Sequence, residues 1–237
     1  MDDSIKKTLL DILVDNHRSS PILFSILSGI LASIGLGTNS YSTIIGSMLL
    51  SPIGNLINVK NVYDILKEVG VPMKRKYQSW IISLIFVIGI VIGIGYIVGK
   101  IFELVKNPFT NESLTKEWPT KEMKERANPM NVIYLVFIAL TCTIALPLSI
   151  LMNNPIRAVA IGIATALVPP LANIGLSLSM KRNTKEQIEY VNSAIRTGTI
   201  IFLVNFFILW LPSKYLLKIF IQKRNIFKTI ENTFIFN

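Results

Sequence analysis

Two apolar segments of the chain are interrupted in the same way, each by a proline that an asparagine follows three residues later. The first segment reads IIGSMLLSPIGNLI and carries Pro52 and Asn55; the second reads IGIATALVPPLANIGL and carries Pro170 and Asn173. Proline has no N–H for an interior helical turn, and an asparagine amide in hydrocarbon needs hydrogen-bond partners. Membrane transporters build sites from such interrupted helices in matching halves of the chain. The pattern therefore predicts a site between two broken helices.

The composition is that of an all-α membrane protein. Hydrophobic residues make up 51 % of the 237 residues and charged residues only 16 %, whereas about a quarter of a soluble domain is charged. Residues 79–99 contain no charged side chain, and about twenty such residues cross the hydrocarbon core. The sequence predicts six transmembrane helices, at roughly 21–37, 41–58, 79–99, 131–151, 158–179 and 194–211. An alternative for residues 21–58 is one re-entrant hairpin.

The two halves also resemble each other where they enter the membrane. Arg18-Ser-Ser-Pro21 opens the first predicted span, and Arg126-Ala-Asn-Pro129 opens the fourth. Each half then holds three spans, and an odd number of spans inserts the second half upside down. We therefore expect two inverted-topology three-helix repeats, each with a proline-broken second helix.

Five segments follow from this organisation. Helical spacing of Ile5, Leu9 and Ile12 between charged residues indicates that the N-terminus is an interfacial helix. The predicted segments are an amphipathic interfacial segment 1–20, membrane repeat 21–102, polar loop 103–128, membrane repeat 129–212 and basic amphipathic tail 213–237.

The net charge of +10 is explained by the bilayer as partner, because basic loops beside spans attract anionic lipid headgroups. No nucleic-acid partner is expected. The distribution of Lys and Arg between the loops places the N-terminus of this multi-pass integral membrane protein in the cytoplasm.

No catalytic constellation is present in the sequence, so an enzyme, a cofactor and a bound metal are not expected. The polar and proline residues at the interruptions remain as candidates for binding a solute, alongside carbonyls that each proline would free one turn earlier, near Met48 and Ala166. The candidate site residues are Asn39, Ser40, Ser51, Pro52, Asn55, Thr165, Pro169, Pro170 and Asn173. In the alternative interpretation, these residues cap helices and hydrogen-bond between spans.

Glycines in the third span recur with small-residue spacing. Gly89 and Gly93 are four residues apart, as are Gly95 and Gly99, and this spacing permits close helix packing. Six spans form a thin bundle, so we expect a homo-oligomer that uses this glycine face.

Two long stretches resemble a known family. ASIGLGTNSYSTIIGSMLLSP (residues 32–52) and RAVAIGIATALVPPLANIGLSLS (residues 157–179) are similar to the signature stretches of the uncharacterised hydrophobic-domain family, domain of unknown function 389. RANPMNVIYLVFIAL (residues 126–140) is similar to its entry into the second half, and the resemblance extends over roughly residues 18–212. It implies a polytopic membrane fold and assigns no activity.

From the residues, we expect a transporter or channel-like permease for a small solute or ion. The alternative is a membrane scaffold or assembly protein that transports nothing, in which the broken helices only shape packing.

Overall fold

The described part of the chain is built from α-helices. A computed structural model describes residues 7, 9–10, 21–71, 80–105, 113–151 and 167–222. Its helices are α1 (Pro21–Gly37), α2 (Tyr41–Leu49), α3 (Ile53–Glu68), α4 (Trp80–Leu104), α5 (Lys121–Ala127), α6 (Asn131–Leu151), α7 (Val168–Ser179) and α8 (Lys185–Gln222). Most of the predicted interfacial segment 1–20, the first part of the fifth span and Thr165 lie outside the described residues.

Helices α1 and α2 form a tight hairpin around the tripeptide Thr38-Asn39-Ser40. Gly35 makes this possible, because a Cβ built there would be 2.7 Å from Cγ1 of Ile44. The chain then continues from α2 into α3, and together Tyr41–Glu68 form a 28-residue stretch apolar enough to cross a membrane. Two consecutive spans and a re-entrant hairpin would both contain this turn, so both interpretations of residues 21–58 stay predictions.

Helices α4 and α7 cross with almost no side chain between them. A Cβ on Gly175 would be 2.2 Å from the Ile92 carbonyl oxygen, and one on Gly95 would be 2.6 Å from that of Ala172. One turn further, a Cβ on Gly99 would overlap Ser179. The predicted small-residue packing is therefore formed by Gly95 and Gly99, with Gly175 and Ser179 facing them.

The contacts along α4 give the directions of its neighbours. Residues of α7 and α4 approach each other in the same order, Gly95 with Gly175 and Gly99 with Ser179, so the two helices are parallel. Trp80, at the start of α4, stacks on Phe206, just past the middle of α8. The other end of α4 shares a pocket with the beginning of α8. Helix α8 is therefore antiparallel to α4.

The outer surface has the apolar character of a membrane protein. Large side chains on the outside of α4 are well exposed, with Ile82 at 68 % and Phe86 at 59 %. Among the described residues, three helices are long and apolar enough to cross a membrane: Tyr41–Glu68, Trp80–Leu104 and Lys185–Gln222. A fourth is obtained if α5 and Asn131–Ala145, bent by 79°, are one span. By length and composition the described helices thus provide three or four spans, fewer than the six that the sequence predicts.

Two boundaries differ from the predicted segments. The polar loop 103–128 contains a helix, α5, which begins after Thr120, whose hydroxyl accepts a hydrogen bond from the Met123 amide at 3.3 Å. Helix α8 continues ten residues past the predicted boundary at residue 212 and ends at Gln222. Both differences arise because polar sequence can form helix where tertiary packing covers its apolar side.

Candidate functional site

The first interruption lies between α2 and α3. Helix α2 ends at Leu49, and α3 begins at Ile53 with the buried Pro52 as its N-cap residue. The prediction that Pro52 leaves the Met48 carbonyl available is wrong, because the Ser51 amide donates to it at 3.2 Å. The tight turn moves a neighbouring amide into the place of the missing proline donor. The Ser51 hydroxyl in turn accepts from the Ile53 amide at 3.4 Å.

Asn55 lies one turn into α3 on an exposed face of the helix. Ile53 and Ile57, two residues before and two residues after it, are almost fully buried. The side of α3 that carries Asn55 therefore faces away from the core to which Ile53 and Ile57 contribute.

The second interruption lies at the beginning of α7. Leu167 is the N-cap residue, and Pro169 and Pro170 lie in the first turn, where a missing N–H costs no intrahelical hydrogen bond. Every residue of α7 except Leu178 is buried. This helix is enclosed by α1, α2, α4, α5 and α8, so its first turn lies inside the bundle.

Asn173 connects three helices with one amide group. It is fully buried on α7; its Nδ2 donates to the Met123 carbonyl of α5 at 3.1 Å, and its Oδ1 accepts from the Tyr190 hydroxyl of α8 at 3.0 Å. Both ends of the amide are thus used within the protein. This arrangement satisfies a polar group whose burial would otherwise be costly.

Asn39 and Ser40 lie in the turn between α1 and α2. Asn39 has a φ of 57°, a left-handed conformation that asparagine tolerates better than most residues. Its Oδ1 accepts from the Glu122 amide at 3.0 Å. Ser40 is the N-cap residue of α2, and its hydroxyl bonds that of Thr43 at 2.8 Å.

Helix α5 brings two of the predicted site residues together. Asn39 binds the backbone of Glu122, and Asn173 binds that of the next residue, Met123. The Thr120 hydroxyl also donates to the Leu36 carbonyl at 2.6 Å, and the Trp118 indole donates to that of Gly37 at 3.0 Å. The sequence interpretation missed α5, although Thr120 followed by Glu122 is a helix-start signal.

The charged pair within α5 is largely shielded from solvent. Arg126 donates to the Glu122 carboxylate at 2.9 Å, and the two side chains are 16 % and 12 % exposed. The Arg-x-x-Pro pattern predicts that Arg126 lies at a membrane entry. Here it neutralises a carboxylate in the short helix that holds α1, α7 and α8 together.

A small polar pocket opens beside the far end of the crossing between α4 and α7. It encloses about 200 Å³ and is lined by Glu103, Ser179, Lys181, Thr115 and Gln187, among others. Glu103 and Lys181 form an ion pair of 2.9 Å across it. None of the predicted site residues is among the residues that line this pocket.

The buried start of α7, with the polar residues around it, lies within a region that a family model matches. The model described as domain of unknown function (DUF389) matches residues 69–211, more than half of the chain. The chain belongs to the DUF389 family. The match includes the second interruption and begins after the first, so it is narrower than the resemblance over residues 18–212. No curated protein and no solved structure matches the chain.

Membership in the DUF389 family assigns no chemistry to the site. Among the described residues, no group of three or more His, Cys, Asp or Glu side chains could hold a metal ion. The arrangement consists of neutral amides, hydroxyls and helix ends. Such groups bind and orient a solute through hydrogen bonds.

Proposed function

We propose that this DUF389 protein is a membrane permease that passes a small solute or ion between the starts of α3 and α7. The observation that carries this proposal is that both helices begin inside the bundle. Ile53 of α3 and Val168 of α7 are 0 % exposed and belong to one hydrophobic core. Their N-cap residues, Pro52 and Leu167, have no side-chain group that could accept from the first amides. The Ser51 hydroxyl accepts from the Ile53 amide, and Pro169 and Pro170 carry no N–H. The two starts therefore attract a ligand chiefly through the positive ends of the helix dipoles, which favour a polar or negatively charged group.

The directions of the two broken helices support an inverted repeat. Helix α3 is parallel to α8, because Asn61 contacts Ser213 and Glu68 contacts Lys218. Since α8 is antiparallel to α4 and α7 is parallel to α4, α3 and α7 run in opposite directions from their buried starts. Two half-helices of opposite direction are what three plus three inverted spans would produce. Six alternating spans are therefore part of the proposal.

The predicted site residues take two roles in this proposal. Ser51, Pro52, Pro169 and Pro170 border the path at the helix starts, and Asn55 lies where the path opens onto the exposed face of α3. Thr165 lies outside the described residues. Asn39 holds the turn between α1 and α2 against α5, and Ser40 bonds Thr43 within that turn. Asn173 holds α7 against α5 and α8. The amide of Asn173 is occupied by protein partners, which favours a positioning role for this residue over direct contact with the solute.

Flux through reconstituted vesicles tests the proposal. Sealed proteoliposomes would be given an osmotic step of potassium chloride, urea or glycerol, and their reswelling followed by stopped-flow light scattering. We expect protein-dependent reswelling with at least one of the three. Asn55→Leu should slow it at least about tenfold, which corresponds to one lost hydrogen bond to the solute. Because Asn55 is exposed, the variant should fold normally.

Two controls accompany this measurement. Asn55→Gln retains an amide and should transport like the unmodified protein, and Thr141→Leu changes an exposed polar residue of α6 outside the interruptions. The scaffold alternative would replace the permease proposal if none of the three solutes crossed, or if Asn55→Leu transported at the unmodified rate.

We also propose that the protein is a homo-oligomer, a dimer, that uses the outer glycine face of α4. A Cβ on Gly89 or Gly93 would meet no atom within 4 Å, so a larger residue there leaves the monomer undisturbed. Gly93→Leu should therefore weaken association without changing thermal stability. Native mass spectrometry from lipid nanodiscs measures the change, and a monomeric unmodified protein would contradict the dimer.

A further inference from the structure

The polar pocket beside the crossing of α4 and α7 lies at one end of α4, a helix long and apolar enough to cross a membrane. Aromatic pairs mark both ends of this helix. Trp80 packs on Trp210 with ring centres 5.2 Å apart, and Phe102 packs on Trp118 at 5.8 Å. The helix rises about 33 Å from Trp80 to Phe102, close to the hydrocarbon thickness of about 30 Å. Aromatic rings gather at membrane–water interfaces, so the pocket, which Trp118 lines, lies at the level of the lipid head groups.

Three charged side chains at this pocket form one ion-paired group with an excess of positive charge. Oε2 of Glu103 lies 2.9 Å from the Lys100 ammonium group, and Oε1 lies 2.9 Å from that of Lys181. Two ammonium groups against one carboxylate leave one positive charge over. The carboxylate is the most shielded member, since Glu103 is 23 % exposed, Lys100 44 % and Lys181 67 %. A ligand from outside therefore meets the positive charge, which suits phosphate oxygens as acceptors.

The neutral part of the described lining is suited to hydroxyl groups. The Gln187 side-chain oxygen accepts from the Asn183 amide at 3.1 Å, so the NH2 group of Gln187 is the part that can donate to a ligand. The Ser113 hydroxyl donates to the Glu103 carbonyl at 3.2 Å and bonds the Thr115 hydroxyl at 2.8 Å. With the Ser113 proton used in this way, Thr115 donates to Ser113, and the Thr115 oxygen can accept from a ligand.

The size of the pocket limits what can enter it. Its volume of about 200 Å³ equals that of about seven water molecules in the liquid. A head group the size of glycerol fits this space, and a whole lipid does not.

An apolar surface leads from the pocket into the bilayer. Tyr96 lies one turn before Lys100 on the same face of α4 and is 44 % exposed. On α7, Leu178 is 37 % exposed and directly precedes Ser179, which lines the pocket. The two helices touch at this level, because a Cβ on Gly175 would be 2.9 Å from the Tyr96 amide nitrogen. Acyl chains can therefore pack along both helices directly below the pocket.

We propose that this pocket binds the head group of a lipid with one net negative charge, a phosphodiester that carries a hydroxyl-bearing group such as glycerol. The phosphate takes up the excess positive charge of Lys100 and Lys181. The glycerol hydroxyls bond Thr115 and Gln187, and the acyl chains follow the apolar surface below. A zwitterionic head group fits less well, because it would bring its own cation beside two ammonium groups. This site is separate from the proposed path, and its occupancy does not depend on the passage of a solute.

Native mass spectrometry of delipidated protein in a neutral detergent tests the proposal. Phosphatidylglycerol is compared with phosphatidylcholine of the same acyl chains, and we expect the glycerol lipid to bind at least about tenfold more tightly. Lys100→Gln/Lys181→Gln should abolish this preference, since it removes the charged donors to the phosphate. Lys181→Gln alone, at the more exposed position, should reduce the preference and carries the test if the double variant does not fold.

Lys214→Gln/Lys218→Gln is the matched control. These two lysines pair with Glu68 near the opposite end of α8, so the variant loses the same charge from a similar ion-paired group that does not line the pocket. It should keep the unmodified preference. An equal loss in the two double variants would show attraction to surface charge alone and would overturn the proposal.

Two further ligands test the hydroxyl contacts and the source of the phosphate. Phosphatidylethanol has the same charge and no head-group hydroxyl, so it should bind about threefold less tightly than phosphatidylglycerol, and Thr115→Val should reduce that difference. Free glycerophosphoglycerol at the same concentration should not compete with the lipid, because it has no acyl chains. The proposal would be overturned by effective competition from this free head group, by equal binding of phosphatidylethanol, or by equal binding of phosphatidylcholine.

Discussion

Gly175→Leu is expected to leave no folded bundle that survives purification. A Cβ alone at this position would be 2.2 Å from the Ile92 carbonyl oxygen and 2.8 Å from the Gly95 Cα. These atoms are backbone, so the conflict can be relieved only if α4 and α7 move apart. Overpacking a core costs about 1–3 kcal/mol when side chains can adjust, and more when they cannot. The expected loss exceeds that range and approaches the whole stability of a marginally stable protein.

The measurement is size-exclusion chromatography in mild detergent, followed by thermal melting of any monodisperse fraction. Gly89→Leu is the matched control, since it adds the same side chain to α4 where nothing lies within 4 Å. Gly175→Ala provides a graded version and should melt below both the unmodified protein and Gly89→Leu. A Gly175→Leu protein that elutes and melts like the unmodified one would show that α4 and α7 do not cross at this glycine.

Asn173→Leu is expected to destabilise the protein by about 2–6 kcal/mol, because it leaves two buried polar groups without partners at about 1–3 kcal/mol each. These groups are the Met123 carbonyl and the Tyr190 hydroxyl. Adding Tyr190→Phe to this variant should recover part of the loss, since the stranded hydroxyl is then absent. Denaturation in detergent with increasing sodium dodecyl sulfate gives the free energy of unfolding for each protein.

Two comparisons separate the loss of the Asn173 hydrogen bonds from a general intolerance of leucine. Asn55→Leu changes the corresponding asparagine of the first interruption, which is exposed, and should alter stability by no more than about 0.5 kcal/mol. Additive effects of Asn173→Leu and Tyr190→Phe would contradict the hydrogen bond between these residues, because coupled neighbours depart from additivity.

The break at Pro52 could be predicted because it depends on local chemistry. Proline's missing donor acts within one turn, and α2 ends and α3 begins beside Pro52. Helix α7 begins one residue before Pro169 and Pro170, and the residues that precede Leu167 lie outside the described part of the chain. The partners of Asn173 could not be predicted, since Met123 lies 50 residues away from it and no local pattern points to it. The donor that bonds the Met48 carbonyl could not be predicted either, because it depends on the turn that the chain takes after Leu49.

The glycine pattern was predictive only in part. Spacing of four residues indicated close packing along α4, but two such pairs share this helix on different faces. Gly95 and Gly99 meet α7, whereas Gly89 and Gly93 face outward. Which pair is used depends on where α7 lies, which is not encoded in α4 itself. Helix α5 was missed for a different reason: seven residues are too few to establish a helical period.

The enclosure of α7 has a consequence for the order in which the protein is assembled in the membrane. This twelve-residue helix exposes only Leu178 to its surroundings, and α8, which forms one of its walls through Gly198 and Tyr190, is later in the chain. Residues 168–179 are thus synthesised before all the helices that enclose them. Their final position is reached only after α8 has entered the bilayer, which makes the insertion of the last described helix the step that closes the fold.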